Sequence, residues 1–259
     1  MSGKLYLIGC GPGDADLLTL KALKTFQKLD VALIDHLLSQ EIIDLIPVHT
    51  NVIFVGKEKG HHSVTQSEIN RIIVEHASKG LTVGRLKCGD PYLFGRGSEE
   101  AVYAAENALD VEVIPGISSA LSAPLSAGIA PTARGYATGM SIVSAHLAGD
   151  RVNLGWVPLL GMRNHTTVVL MGLSRATQIA EEALTLGIDP LLPVAIISNA
   201  TTADQETVVT TLADLPDAAK NAPRPAILVF GDVVALESKL PKYIYEIKQE
   251  SYHDTARAS

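Results

Sequence analysis

The feature that most restricts the fold is a repeated alternation: a short apolar run, a glycine-rich turn, then a segment with helical spacing. KLYLIG (4–9) leads into DLLTLKALKTFQKL (16–29), where Lys21, Lys24 and Lys28 recur three and four apart, opposite a face carrying Leu20, Leu23 and Phe26. VALID (31–35), NVIFVG (51–56), LTVGRL (81–86) and VEVIPG (111–116) read as further strands. TQSEINRIIVEHASKG (65–80) opens on a capping box, Thr65 with Glu68, and stops at Gly80. A further helix is expected from about Ser98 to Leu109. Strands alternating with helices imply a mostly parallel sheet covered on both faces.

The second half repeats the theme with MSIVSAH (140–146), TTVVLMG (166–172), PVAIISNAT (193–201) and PAILVFGDVV (225–234), and SRATQIAEEALTLG (174–187) is patterned as a helix. The intervening PGISSALSAPLSAGIAPTARGYA is rich in small residues, proline and glycine, as a linker would be. The expected architecture is α/β: two α/β domains with mostly parallel sheets and a cleft between them. Their expected bounds are 1–116 and 117–245, followed by a polar tail, 246–259.

Composition removes several classes. A net charge of −7 over 259 residues argues against a general nucleic-acid binder, although local arginines can still hold an anionic ligand. No apolar run reaches the roughly 18 residues of a membrane span. The opening MSGKLYLIGCGPGD lacks a leader's apolar core and cleavage site. Cys10 and Cys88 make no disulfide framework, so a reducing, cytoplasmic setting is expected.

Glycine-rich turns at strand ends bring backbone close to ligands. GCGPGD (9–14) departs from the dinucleotide fingerprint, because Pro12 removes an amide where a phosphate would need one. It reads either as a phosphate-free ligand turn or as a plain turn capped by Asp14 or Asp16. RLKCGDPYLFGRGSEE (85–100) turns at Gly89-Asp90-Pro91 and then sets Arg96 and Glu99 three apart at a helix start. That pair faces either a cleft or solvent. Lys57, Lys59, His61 and His62 lie in VGKEKGHHSVTQ (55–66), an anion-facing or merely polar loop. The adjacent histidines lack helical ligand spacing, and no metal is expected. Asp35 and His36 end a strand, where an aspartate is often only a cap.

Six segments in order, GCGPGDADLLTLKA, DHLLS, VGKEKGHHSVTQSEIN, RLKCGDPYLFGRGSEE, VIPGISSA and PAILVFGDVV, resemble the uroporphyrinogen-III C-methyltransferases of the tetrapyrrole methylase superfamily. The resemblance runs from about residue 3 to 236 and does not take in the chelating domain of siroheme synthases, so methylation alone is implied. It implies a homodimer of two-domain chains, S-adenosylmethionine in the cleft, and uroporphyrinogen III methylated at C2 and then C7. The product would be precorrin-2, on a route towards siroheme, cobalamin or haem d1.

By resemblance, Pro12, Cys88, Gly89, Asp90, Leu93, Ser118, Ser119, Met171, Ala200 and Ala226 line the cofactor site. Asp35 is the general base and Lys57 the general acid. Arg96 and Arg134 clamp substrate carboxylates, with His36 and Glu99 as further substrate contacts. Two positions depart from the family: Cys88 stands where glycine is usual, and a threonine-histidine-arginine run appears as Thr132-Ala133-Arg134. They keep open a methylase of another tetrapyrrole, such as a precorrin. A non-enzymatic nucleotide sensor would keep the glycine turns without needing Lys57, Arg96 and Arg134.

Overall fold

A computed structural model describes residues 3–56, 64–147 and 151–243. Lys57, Lys59, His61, His62 and the tail 246–259 lie outside the described residues. The described chain divides into two compact units, up to Ser118 and from Ser119.

The first unit runs β1 (Lys4–Gly9), α1 (Leu20–Phe26), β2 (Val31–Ile34), α2 (Gln40–Asp44), β3 (Asn51–Phe54), α3 (Gln66–Ser78), β4 (Thr82–Lys87), α4 (Gly97–Glu106) and β5 (Asp110–Ile114). Its sheet has the order β3-β2-β4-β1-β5, and every pairing is parallel. Alternate residues of each strand go to opposite cores. Tyr6, Ile8, Ala32, Ile34 and Leu86 pack with Phe26 and Leu29. Leu5, Leu7, Val31, Leu33 and Val83 pack with Ile69, Ile73 and Ala104 from α3 and α4. Burial on both faces is why these strands read as continuous apolar runs.

Local signals set the helix ends. The Thr65 hydroxyl accepts from the Glu68 amide while the Glu68 carboxylate accepts from the Thr65 amide (2.7 Å), completing the expected capping box. Gly80 follows α3 at φ 85°, a left-handed stop suited to glycine. The expected helix over 16–29 is shorter and differently phased. A 3₁₀ turn (Ala15–Leu17) comes first, and Thr19 caps α1 by accepting from the Ala22 amide. The buried face is therefore Ala22, Thr25 and Phe26, and Leu20 is 74% exposed rather than a core residue.

The second unit contains α5 (Ser119–Ser126), β6 (Gly139–Ser144), β7 (His165–Leu170), α6 (Ala176–Thr185), β8 (Pro193–Ser198), β9 (Glu206–Thr211), α7 (Leu215–Ala218) and β10 (Ala226–Phe230). The α/β class stands, but this sheet, ordered β6-β7-β10-β8-β9, differs from the mostly parallel expectation. Only β6 and β7 pair in parallel, while β10 runs against β7 and β8, and β8 against β9. The link from Ser198 to Glu206 is too short for a helical crossover, so β9 returns antiparallel. One face buries Val169, Val194, Ile196, Leu228 and Phe230 beneath Trp156, Ile179 and Ala183.

Phe26 is fully buried beneath the first sheet. Phe26→Ala should cost about 3–5 kcal/mol of unfolding free energy, measured by urea denaturation. A loss below about 1 kcal/mol would show that the packing there is not as described.

Candidate active site

The first unit gathers its turns at the carboxyl edge of the sheet. After β1 and β4 the chain pairs once more: Gly11 N–H donates to the Gly89 carbonyl (3.2 Å), and Gly89 N–H to the Gly11 carbonyl (2.7 Å). Gly11 and Gly89 both have left-handed φ, 75° and 72°, conformations that glycine adopts without strain. The turn after β5 closes on the same point. A Cβ on Gly116 would stand 2.2 Å from the Gly89 carbonyl oxygen and 2.6 Å from the Gly9 carbonyl carbon. Asp90 ties the turns together, accepting from Gly116 N–H (3.2 Å) and Tyr92 N–H (2.9 Å). Pro12, Cys88, Gly89 and Asp90 thus lie on one edge, with Leu93 in the following loop. Ser118 is buried near the end of the unit.

The departure at Cys88 is local. The left-handed position is Gly89, so a side chain at 88 needs no unusual backbone, and its thiol points to the Gly11 carbonyl oxygen (3.6 Å). Burial, with Asp35 nearby, pushes the Cys88 thiol up to about 11. Such a thiol is un-ionised at neutral pH and poorly suited to nucleophilic chemistry.

Asp35, just past β2, is held from beneath. Arg85 Nη2 donates to Asp35 Oδ1 (2.7 Å), and Arg85 Nε donates to Glu100 Oε1 (3.0 Å). Lys87 Nζ bonds both Glu100 oxygens (3.1 and 3.0 Å), and Gln66 Nε2 donates to Oε1 (3.0 Å). Arg85 and Lys87 project from β4 in line with Val83, towards α3 and α4, where Glu100 waits. The side chains of Arg85 (3% exposed) and Glu100 (0%) are buried, whereas Asp35 keeps 29% of its surface open. Burial pulls Arg85 down, but Glu100 and Asp35 outweigh it and raise its pKa. Lys87 is lowered by burial and by Arg85. Arg85, Lys87 and Glu100 were not among the candidates from sequence. Arg85 inside the run read as a strand, with Lys87 directly after it, is the available signal, since buried charges require partners.

The other first-unit candidates are exposed. His36 stacks on Phe54 (ring centroids 6.0 Å apart) and fits against Gly56, where a Cβ would come within 2.5 Å of its ring. Arg96 holds Glu99 with two bonds, Nε to Oε1 (3.0 Å) and Nη2 to Oε2 (2.7 Å). That contact raises the arginine and lowers the carboxyl. Arg96 and Phe94 both have left-handed φ, 58° and 54°, which strains the loop leading into α4.

In the second unit, the strand directions bring three candidates to one sheet edge. Met171 follows β7, Ala200 follows β8, and Ala226 opens the opposed strand β10 opposite Ser198. Met171, Asn199 and Thr201 are all left-handed there (φ 57°, 47° and 64°), a concentration of strain typical of ligand sites. Ser119 opens α5. Arg134 is exposed in a turn closed by reciprocal backbone bonds between Ala133 and Ala137 (3.0 and 2.9 Å), so alanine at 133 leaves that turn intact. Among the described residues, no group of three or more His, Cys, Asp or Glu is placed to hold a metal ion, and no helix is long and apolar enough to cross a membrane.

Comparison with known proteins gives the site a context. The family profile of the Tetrapyrrole (Corrin/Porphyrin) Methylases matches residues 4–216. A siroheme synthase of Klebsiella pneumoniae subsp. pneumoniae is 41% identical over 252 residues, 97% of this chain and 53% of its own. The chain therefore spans about half the length of the curated relatives it matches. The crystal structure of the native uroporphyrin III C-methyl transferase from Thermus thermophilus superposes with a TM-score of 0.78 at 35% identity, covering 90% of this chain and 94% of that one. The Thermus thermophilus enzyme complexed with S-adenyl homocysteine gives 0.78 at 36%, covering 90% and 93%.

Two outcomes follow for this edge. Gly116→Ala should lower stability by about 1–3 kcal/mol, seen as a reduced denaturation midpoint, and an unchanged midpoint would contradict the backbone contact. Cys88 alkylation by iodoacetamide should be slow at pH 8, where about one thiol in a thousand is ionised, and should climb through pH 10. A plateau below pH 9 would mean a thiolate that this environment does not support.

Proposed function

Because the chain belongs to the tetrapyrrole methylases, we propose that it transfers methyl groups from S-adenosylmethionine to uroporphyrinogen III, at C2 and then C7, giving precorrin-2. The observation that carries this reading is the likeness to a uroporphyrin III C-methyl transferase over nine-tenths of both chains. Of the activities of the longer siroheme synthases, only methyl transfer is proposed. The product would feed siroheme, cobalamin or haem d1 formation. A cytoplasmic homodimer acting without a metal belongs to the same reading.

The strand-end turns suit this methyl donor. They present glycine backbone and the Asp90 carboxylate, carry no lysine or arginine between Cys88 and Leu93, and lack an amide at Pro12. That chemistry fits a phosphate-free, positively charged ligand better than a nucleotide phosphate. Pro12, Cys88, Gly89, Asp90, Leu93 and Ser118 are the proposed contacts in the first unit, with Ser119, Met171, Ala200 and Ala226 in the second. When bound, S-adenosylmethionine supplies an electrophilic methyl group on its sulfonium.

Asp35 is the proposed proton acceptor for the pyrrole N–H as the ring carbon attacks. Its partial exposure gives substrate access, and among the described residues only Arg85 pairs with its carboxylate. Lys57, outside the described residues, is the proposed general acid. Arg96 and Arg134 are proposed to clamp carboxylates among the substrate's eight, with His36 as a further substrate contact and Glu99 orienting Arg96 or accepting from a pyrrole N–H. The Arg96–Glu99 pair is more than half exposed at each partner. Such a pair is worth about 0–1 kcal/mol, so Arg96 can exchange Glu99 for a substrate carboxylate at little cost.

Anaerobic incubation with uroporphyrinogen III and S-adenosylmethionine, followed by mass spectrometry, should show two added methyl groups. An unmodified tetrapyrrole despite bound cofactor would point to another tetrapyrrole acceptor. Asp35→Asn should lower turnover by about 10²–10⁴-fold, and near-normal turnover would remove Asp35 as the base.

A further inference from the structure

The charge cluster beneath Asp35 is larger than the fold requires. Glu100 and Lys87 already form a neutral buried pair. Adding Arg85 places a third buried charge in line with Val83, on the face of β4 that otherwise packs into an apolar core. Burying a charge is costly, and apolar replacements of buried ion pairs are often neutral or stabilising. Arg85 therefore needs an explanation other than stability, and its second partner supplies one.

We infer that Arg85 is a positioning residue for methyl transfer, a fixed guanidinium that orients the Asp35 carboxylate towards the reacting ring and is itself locked by Glu100. The inference rests on the reading of Asp35 as proton acceptor. Arg85 spans from the buried Glu100 to the partly open Asp35, and its Nη1 also donates to the Leu86 carbonyl (3.2 Å). A planar fork held at several points cannot swing with the carboxylate, so it sets where Oδ1 lies. Oδ2 has no partner among the described residues and remains available for a proton. At 3% exposure Arg85 does not meet solvent-borne substrate itself. Glu100 acts one step further back, and Lys87 balances its charge.

Charge accounting selects the test. Glu100→Gln would leave Arg85 and Lys87 as two buried cations against Asp35 alone, whereas Arg85→Met leaves the neutral Glu100–Lys87 pair in place. Arg85→Met should lower kcat for uroporphyrinogen III methylation about 100-fold, while KM and the Kd for S-adenosylhomocysteine, by calorimetry, stay within about three-fold. Arg85→Lys keeps the charge without the span and should lose only about ten-fold. In single-turnover reactions, Asp35→Asn/Arg85→Met should be no more than about three-fold slower than Asp35→Asn, because the only task left to Arg85 has gone.

Near-normal kcat in Arg85→Met, with Asp35→Asn inactive, would overturn the positioning role and leave Asp35 as base. A further large loss in the double variant, or an equal loss of S-adenosylhomocysteine binding, would overturn it in favour of a structural role. Near-normal turnover in Asp35→Asn would overturn both readings. If Arg85→Met does not fold, Arg85→Lys decides: unchanged kcat in a variant that binds S-adenosylhomocysteine overturns the role, and the ten-fold loss supports it.

Discussion

A parallel sheet covered on both faces leaves polar chemistry one outlet, the ends of its strands. In the first unit, Leu5 and Leu7 go to one core and Tyr6 and Ile8 to the other, so β1 has no solvent face. The same holds for β2 and most of β4. Because every strand points the same way, the turns after β1, β2, β4 and β5 gather at a single edge. The placement of Pro12, Asp35, Cys88, Gly89 and Asp90 follows from that geometry, and no one turn accounts for it.

The two kinds of charge pair in this unit show how burial divides labour. Arg85, Lys87 and Glu100 are desolvated, and removing Glu100 would leave two buried cations without their common partner. Arg96 and Glu99, linked by two good hydrogen bonds, stand in water and are individually dispensable to the fold. The first arrangement suits a group that must hold still. The second suits one that must let go of its partner when a carboxylate-rich ligand arrives.

Much of this was legible in the sequence, wherever the determinants are local. The apolar runs mark strands, and the capping box at Thr65 and the stop at Gly80 depend on residues within one turn. The spacing alone gives the wrong phase for α1, because Thr19 caps the helix and Leu20, its first residue, faces outward. Strand β9 carries little sequence signal because its residues are exposed or half-buried at a sheet edge, and the antiparallel pairing of β8, β9 and β10 is not written in any one strand. The glycine turns and Asp35 were legible through resemblance. Arg85 and Glu100, fifteen residues apart, meet only once β4 and α4 pack. A cation inside an apolar strand signals that a partner exists without saying which one.

The close backbone approach of Gly9, Gly89 and Gly116 packs the three turns together, so that a side chain added at Gly9 or Gly116 meets the backbone of the others. For a cofactor bound here as proposed, these close-packed turns would be the floor, and discrimination between closely related cofactors would fall to the side chains beside it, such as those of Cys88 and Leu93.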